Sequence, residues 1–286
     1  MDQLLEDLLK VMTLERIEVD LFRGQSRDIG SPQVFGGQVL GQALMAATAT
    51  IDNRLVHSLH AYFLRRGDFG LPIVYEVDRA RDGNHFSTRR VVAIQNGAQI
   101  FNMSASFQSA EAGLQHQLDM PAVPAPETLP ELATYFREKL AQMPPGIRRM
   151  LEKKRPFEFR PTTPPAVLDG QRAAPHRNLW FRAVDRLPDD ELMHRCLLAY
   201  VSDFNLLDTA LMPHGLGFGG HGLSMASIDH AMWFHASVRV DDWLLYTTDS
   251  PSASGARGFA RGSIFARDGR LVASTAQEGL MRVRHS

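Results

Sequence analysis

The chain has 286 residues, 44% of them apolar and 22% charged, which is ordinary for a soluble globular protein and long enough for two core-bearing units. Its 31 basic and 32 acidic residues leave a net charge of -1, so no whole-protein field recruits nucleic acid or an anionic membrane, and a polyanionic ligand needs a local basic site. One cysteine, Cys196, excludes an intrachain disulfide and suits a reducing compartment; it reads as a small buried apolar residue.

The N-terminal stretch from Met1 to Lys10 is acidic and amphipathic, unlike a signal or transit peptide. No apolar run approaches the roughly 18 residues needed to span a bilayer, and Arg284-His285-Ser286 is not a peroxisomal address. The expected location is the cytoplasm.

Taken in chain order, Leu4, Leu5, Leu8, Leu9 and Met12 fall at helical spacing and predict a short first helix. The run from Phe35 to Ala47, FGGQVLGQALMAA, predicts a long helix with glycines at its start, apolar nearly all round and therefore buried, with a sheet wrapped about it. Strands are expected at 55–64, 73–78, 86–95 and 99–108. Between the last two lies Asn96-Gly97, the dipeptide that best tolerates the positive φ angles of a two-residue hairpin.

The stretch from Ala110 to Pro175 is rich in proline and admits one helix, over 132–143. It reads as an ordered linker running over the surface; a disordered tether is the alternative, against which the aromatic residues Tyr135, Phe136, Phe157 and Phe159 count. Strands then recur near 223–235, 243–248, 259–266 and 271–277, with Asp268-Gly269 in the equivalent hairpin.

The second half thus repeats the first. Matching Ser104-Ala105-Ser106-Phe107-Gln108 to Ala273-Ser274-Thr275-Ala276-Gln277 gives an offset of 169 residues. That offset sets Ser58 against Ser227, His60 against Asp229, and Asp203 level with the glycine-rich helix start of the first copy. A helix wrapped by antiparallel sheet, written twice, predicts an α+β tandem (double) hotdog: residues 1–110 and 176–286 as the two hotdogs and 111–175 as linker. An acidic residue at only one of two equivalent helix starts suggests one active site per chain.

There is no phosphate-binding GxxxxGK, no HExxH, no paired CxxC and no Rossmann fingerprint. Gly217 to Gly222 precedes a strand, not a helix, and reads as a flexible loop; Gly222-Leu223-Ser224-Met225-Ala226 lacks the strand–turn–helix order of a nucleophile elbow. His57 and His60 are three apart on a strand, so alternation puts them on opposite faces, as it does His230 and His235. Neither pair suits a metal.

Asp203, Ser227 and Gln277 are harder to set aside. Asp203 lies in the apolar context AYVSDFNLL, where a carboxylate must cap, pair or work. A carboxylate, a hydroxyl and a carboxamide can together hold a water and take its proton, a general-base arrangement with no covalent step. An N-cap aspartate with two unrelated polar residues is the other reading, and the pattern alone leaves both open.

At these residues the chain resembles acyl-CoA thioesterase II, a double-hotdog thioesterase family. LFRGQSRDIG, VFGGQVLGQAL, LVHSLHAYFLRRGD, RDGNHFSTRRVVAIQNG, SDFNLL, SIDHAMWFH, SASGARGFARG and LVASTAQEG follow the family in family order over nearly the whole chain. The resemblance implies hydrolysis of medium- to long-chain fatty acyl-CoA to fatty acid and CoA, without metal or cofactor, by a homo-oligomer, a dimer or tetramer of double-hotdog chains. It maps the family's water-binding aspartate, threonine or serine, and glutamine onto Asp203, Ser227 and Gln277, with Ser227 lacking the methyl that stiffens threonine. Backbone N–H groups at the Gly36-Gly37 helix start are a candidate oxyanion site. A hotdog acyl-CoA hydratase is the nearest rival, but its aspartate-plus-histidine helix start has no counterpart after Asp203-Phe204-Asn205. A non-catalytic acyl-CoA sensor is the rival from another class.

Overall fold

The computed structural model describes residues 1–137, 139–168, 170–216 and 222–283. Helix α1 (Gln3–Met12) is capped by Asp2, whose carboxylate accepts from the Leu4 and Leu5 N–H groups, and its Leu5, Leu8 and Met12 face the core. A two-strand ribbon, β1 (Glu15–Glu18) and β2 (Leu21–Gly24), leads to α2 (Gly36–Thr48). Strands β3 (Leu55–Phe63), β4 (Ile73–Asp82), β5 (Phe86–Gln95) and β6 (Ala98–Gln108) follow. Along β5 buried and exposed residues alternate, the signature of an antiparallel sheet with one face on the core.

The first half orders its strands β2-β4-β5-β6-β3 around α2. The second repeats this with β8 (His176–Ala183), β10 (Asp229–Phe234), β11 (Leu244–Ser254), β12 (Arg257–Ala266) and β13 (Leu271–Val283), ordered β8-β11-β12-β13-β10 around α5 (Glu191–Ser202). Strands β3 and β10 pair antiparallel, His60 opposite Ala231, so the two sheets join into one. This is the expected α+β double hotdog.

The helices are closely packed. Added to Gly37, a Cβ would lie 2.2 Å from the Tyr200 carbonyl oxygen, and at Gly41 one would lie 3.1 Å from that of Cys196. The two helices therefore cross antiparallel with backbone nearly on backbone, which only small residues permit. Eleven side-chain positions of α2, including Gln38 and Gln42, are buried. Gln42 bonds its amide to the Val11 and Gln25 carbonyls and accepts from the Tyr75 hydroxyl, so its burial is satisfied. Helix α5 starts at Asp190, whose side chain accepts from the Leu192 and Met193 N–H groups, a cap worth about 1 kcal/mol.

Several expectations change here. The linker carries α3 (Leu132–Arg137), shorter than expected, a 3-10 turn at Leu140–Gln142, and α4 (Pro145–Glu152), opened by the proline that suits a first helical turn. It also carries β7 (Phe157–Pro161), which extends the second sheet beside β8. Residues before α3 cross the outer face of that sheet: Met120, Val123 and Leu129 pack on Trp180, Trp243, Leu245 and Phe265, and the Trp180 indole donates to the Pro124 carbonyl.

The expected single strand over 223–235 is two, β9 (Leu223–Ser227) and β10, broken at Ile228, whose N–H donates to the Glu278 carbonyl while its carbonyl accepts from Phe63. The hairpins also differ. Asn96 and Gly97 both have positive φ, as a type I′ turn requires, whereas between β12 and β13 only Gly269 does; both ladders carry an irregularity near the turn, at Ala93/Ile94 and at Ile264/Phe265. The Gly217 to Gly222 loop lies outside the described residues except for Gly222, and residues 284–286 lie outside them too.

The close helix crossing makes a stability prediction. Gly37→Ala forces a methyl onto the Tyr200 carbonyl and should destabilise the fold by about 3 kcal/mol in denaturant unfolding. An unchanged unfolding midpoint would contradict the packing described.

Candidate active site

Asp203 directly follows α5, as its C-terminal cap residue. This corrects its expected place at a helix start. The 169-residue offset fails in this stretch because the second half inserts a 3-10 segment (Leu207–His214) and β9 between its helix and the strand equivalent to β3. Ser106 pairs with Ser58, but Thr275, which the offset sets against Ser106, pairs with Met232. Ser227 is therefore no counterpart of Ser58; it ends β9, opposite Gly279 on the extended tail of β13. Asp229 is likewise no counterpart of His60: it pairs with Tyr62, and its carboxylate accepts from the Glu278 N–H at 2.6 Å.

The structure nonetheless brings the three residues together. The Gln277 carboxamide donates to Asp203 Oδ1 at 2.7 Å and to Ser227 Oγ at 2.9 Å, and the Ser227 hydroxyl lies 3.5 Å from Asp203 Oδ1. A carboxylate only accepts, which fixes the Gln277 amide with its NH₂ toward Asp203. Gln277 is buried on the inner face of β13, and its Oε1 has no protein partner. The Gly37 N–H also donates to the Asp203 carboxylate. Thus the start of α2, from the first half, meets a carboxylate delivered by the second, where the positive end of the helix dipole favours negative charge.

Burial raises the Asp203 carboxyl above its ordinary value, and the Gln277 amide, the Gly37 N–H and the Ser227 hydroxyl pull it partway back. A Cβ at Gly36 would come within 2.8 Å of Asp203 Oδ2, so any side chain there would press on the carboxylate itself.

Two cavities open on this junction. One, of about 580 Å³, is lined by Asp203 and by an aromatic group that includes Phe35, Phe157, Phe159 and Phe204; Phe35 and Phe204 lie 4.1 Å apart between ring centroids. The other, of about 220 Å³, is lined by Ser227, Gly36, Phe63, Arg65 and Arg66.

The sequence missed the polar groups behind Asp203. Arg177 donates to the Asn205 carbonyl, and Asn205 holds a positive φ of 64°, so this guanidinium pins the sharp turn that follows the carboxylate. Arg155 lies over the Phe204 ring at 4.6 Å. Asp208, also lining the larger cavity, is raised by burial and lowered again by Arg177 and Arg155. Only the unusual Asn after Asp203-Phe204 hinted at such a turn.

The first pair of histidines departs from the expectation and the second follows it. A bulge at Val56/Ser58 slips the alternation of β3 and turns both His57 and His60 to the outer face, where His57 bonds the Ser106 hydroxyl and His60 stacks edge-on to Trp233. His230 points inward and His235 outward. Among the described residues no cluster of three His, Cys, Asp or Glu side chains could hold a metal ion. Cys196 is buried, which pushes its thiol up to about 12 and leaves it without nucleophilic character.

With this geometry stand the comparisons with known proteins. The family described as acyl-CoA thioesterase matches residues 148–280, and the acyl-CoA thioesterase N-terminal domain matches 23–108. Acyl-CoA thioesterase 2 of Haemophilus influenzae is 41% identical over 283 residues, 99% of each chain. The chain belongs to the acyl-CoA thioesterase family. Human acyl-coenzyme A thioesterase 8 is 42% identical over 96% of this chain and 88% of the relative. The crystal structure of acyl-CoA thioesterase II TesB2 from Mycobacterium marinum superposes with a TM-score of 0.79 at 42% identity, covering 97% and 98% of the two chains. A hot dog fold protein from Alicyclobacillus acidocaldarius, 18% identical with a TM-score of 0.77, shares the fold.

Behind the site, His230 supplies a pH-dependent prop. The Ser202 hydroxyl donates to the Ala199 carbonyl and so accepts from His230 Nε2–H at 3.0 Å beneath the residue preceding Asp203, while burial, with Nδ1 left without a partner, keeps the ring neutral. Burial drives the His230 pKa from 6.5 down to about 4. The unfolded chain therefore binds a proton between pH 6.5 and 4 that the folded chain refuses, and this group's contribution falls as pH falls. Between pH 7 and pH 5 it should cost wild type about 2 kcal/mol of stability that His230→Gln does not lose. Equal pH dependence of unfolding in the two proteins would contradict a neutral buried ring.

Proposed function

We propose that this acyl-CoA thioesterase family member hydrolyses fatty acyl-CoA to fatty acid and CoA by direct attack of a water that Asp203 deprotonates. The observation that carries the reading is the Asp203 carboxylate at the junction of two cavities, held by donors from Gln277, Ser227 and Gly37. Those donors offset part of the burial penalty, and the net rise leaves the carboxylate more basic than one in water.

Asp203 takes one proton of the water, and the oxygen bonds to the thioester carbonyl carbon. The Ser227 hydroxyl, which lines the smaller cavity, and the Gln277 carboxamide bonded to it orient that water. The carbonyl oxygen becomes an oxyanion, for which the α2 start supplies a backbone N–H at Gly36 and the helix dipole. When the tetrahedral centre collapses, the C–S bond breaks and the CoA sulfur leaves, taking the proton held on Asp203. A thioester is activated enough that no nucleophilic serine is required.

In this reading the larger cavity, with its aromatic and aliphatic wall, takes the acyl chain, consistent with broad medium- to long-chain acceptance, and the smaller one takes the thiol end of CoA, with Arg65 and Arg66 toward its phosphates. The chain would work in the cytoplasm as a homo-oligomer, each chain contributing residues 1–110 and 176–286 as an internal pair joined by 111–175. No described helix is long and apolar enough to cross a membrane.

A folded Asp203→Asn variant should lose about 10²- to 10⁴-fold in kcat, measured as thiol release from acyl-CoA. Ser227→Thr should keep most activity, since the hydroxyl stays. Activity unchanged in Asp203→Asn would move the base elsewhere. Saturable acyl-CoA binding by wild type with no thiol release would favour the sensor.

A further inference from the structure

Neither hotdog completes the larger cavity. The aromatic wall beside Asp203 comes from residues at the ends of α2 and α5 and from β7, but Leu132 and Phe136 of α3 and Met150 and Leu151 of α4 supply much of the rest. Phe136 is 6% exposed and Met150 and Leu151 are half-buried, so these linker helices turn apolar side chains toward the cavity and leave Arg137, Arg149 and Glu152 to the outside.

Helix α4 is seated on the first half with little slack. Gly30 has a φ of 87°, and a Cβ on it would lie 2.7 Å from the Met150 Cα and 2.8 Å from the Arg149 carbonyl oxygen. Beside this contact, Asp28 pairs with Arg149 at 2.7 Å and with Lys153 at 3.5 Å. A hydrogen bond from the Gly30 N–H, then one from Arg149 and the charge of Lys153, hold the Asp28 carboxyl below its ordinary value despite partial burial. Ile29 and Ser31, the neighbours of this seat, line the same cavity. The wall is thus a clamped surface, not a loose flap.

From this we infer that the linker helices, through Phe136 and Met150, set how long an acyl chain the enzyme accepts, so that chain-length specificity resides outside both catalytic halves. The inference rests on the reading that the larger cavity takes the acyl chain. A bulkier side chain at either position shortens the space available to the chain, while the site at Asp203, Ser227 and Gln277 stays as it is. Long acyl chains then lose the burial of several methylenes and short ones lose little.

The test is kcat/KM for thiol release from butanoyl-, octanoyl- and hexadecanoyl-CoA by wild type, Met150→Trp and Phe136→Trp, with Leu118→Trp as a linker control away from the cavity. Each cavity variant should lower the hexadecanoyl-to-butanoyl ratio at least about tenfold, the equivalent of two methylenes' burial, and the control should keep the wild-type ratio. Enlarging the space with Met150→Ala should not lower that ratio. Ratios within twofold of wild type, or equal losses on all three substrates, would overturn the inference while leaving the thioesterase reading intact. Absence of thiol release from every substrate by wild type would overturn that reading and this inference with it.

Discussion

The arrangement depends on two helices approaching closely enough to touch along their backbones. Because Gly37 and Gly41 carry no side chain, α2 can lie against the Tyr200 and Cys196 carbonyls of α5. That contact places the start of one helix on the residue that ends the other, and the Gly37 N–H reaches the Asp203 carboxylate. A larger residue would push the helices apart and separate donor from acceptor. The glycines thus serve packing and electrostatics at once, and the pairing of β3 with β10 carries the same alignment into the sheet.

Burying a carboxylate is unfavourable unless its oxygens are satisfied, and here three donors come from three places: α2, β9 and β13. Satisfaction is incomplete by design of the geometry. Gln277 spends its NH₂ on Asp203 and Ser227, leaving Oε1 free, and Asp203 Oδ2 faces Gly36. What results is an anion with raised basicity and nearby acceptors, the combination a water-activating base needs. His230, neutral and buried, supports the turn from behind through Ser202 without entering the chemistry.

Much of the fold was legible where local signals and burial agree. The apolar, glycine-led run that became α2 and the strands flanking Asn96-Gly97 lie within a residue or so of expectation. The repeat was legible in its closing strands but misleading between them, because a fixed offset cannot register an inserted 3-10 segment and an extra strand; Ser227 was found as a residue but set against the wrong partner. The bulge in β3 that puts His57 and His60 on one face leaves no mark in the sequence beyond a normal alternation. Asp203, Ser227 and Gln277 stand out together in the sequence, yet their junction with Gly37 depends on how two halves pack, and Arg155, Arg177 and Asp208 depend on it too. Long-range contacts of this sort have no period in the chain.

The account makes Asp203 a buried general base, more basic than an ordinary carboxylate, that has to be ionised to take a proton from water. The direct measurement is its titration, followed by carbon NMR of protein labelled at aspartate carboxyl groups, with the Asp203 signal assigned by its absence from Asp203→Asn. A midpoint above the ordinary value of about 3.9, with the group fully ionised by pH 7, is the predicted result. A midpoint at or below that value, or a carboxyl still protonated at pH 7, would contradict it.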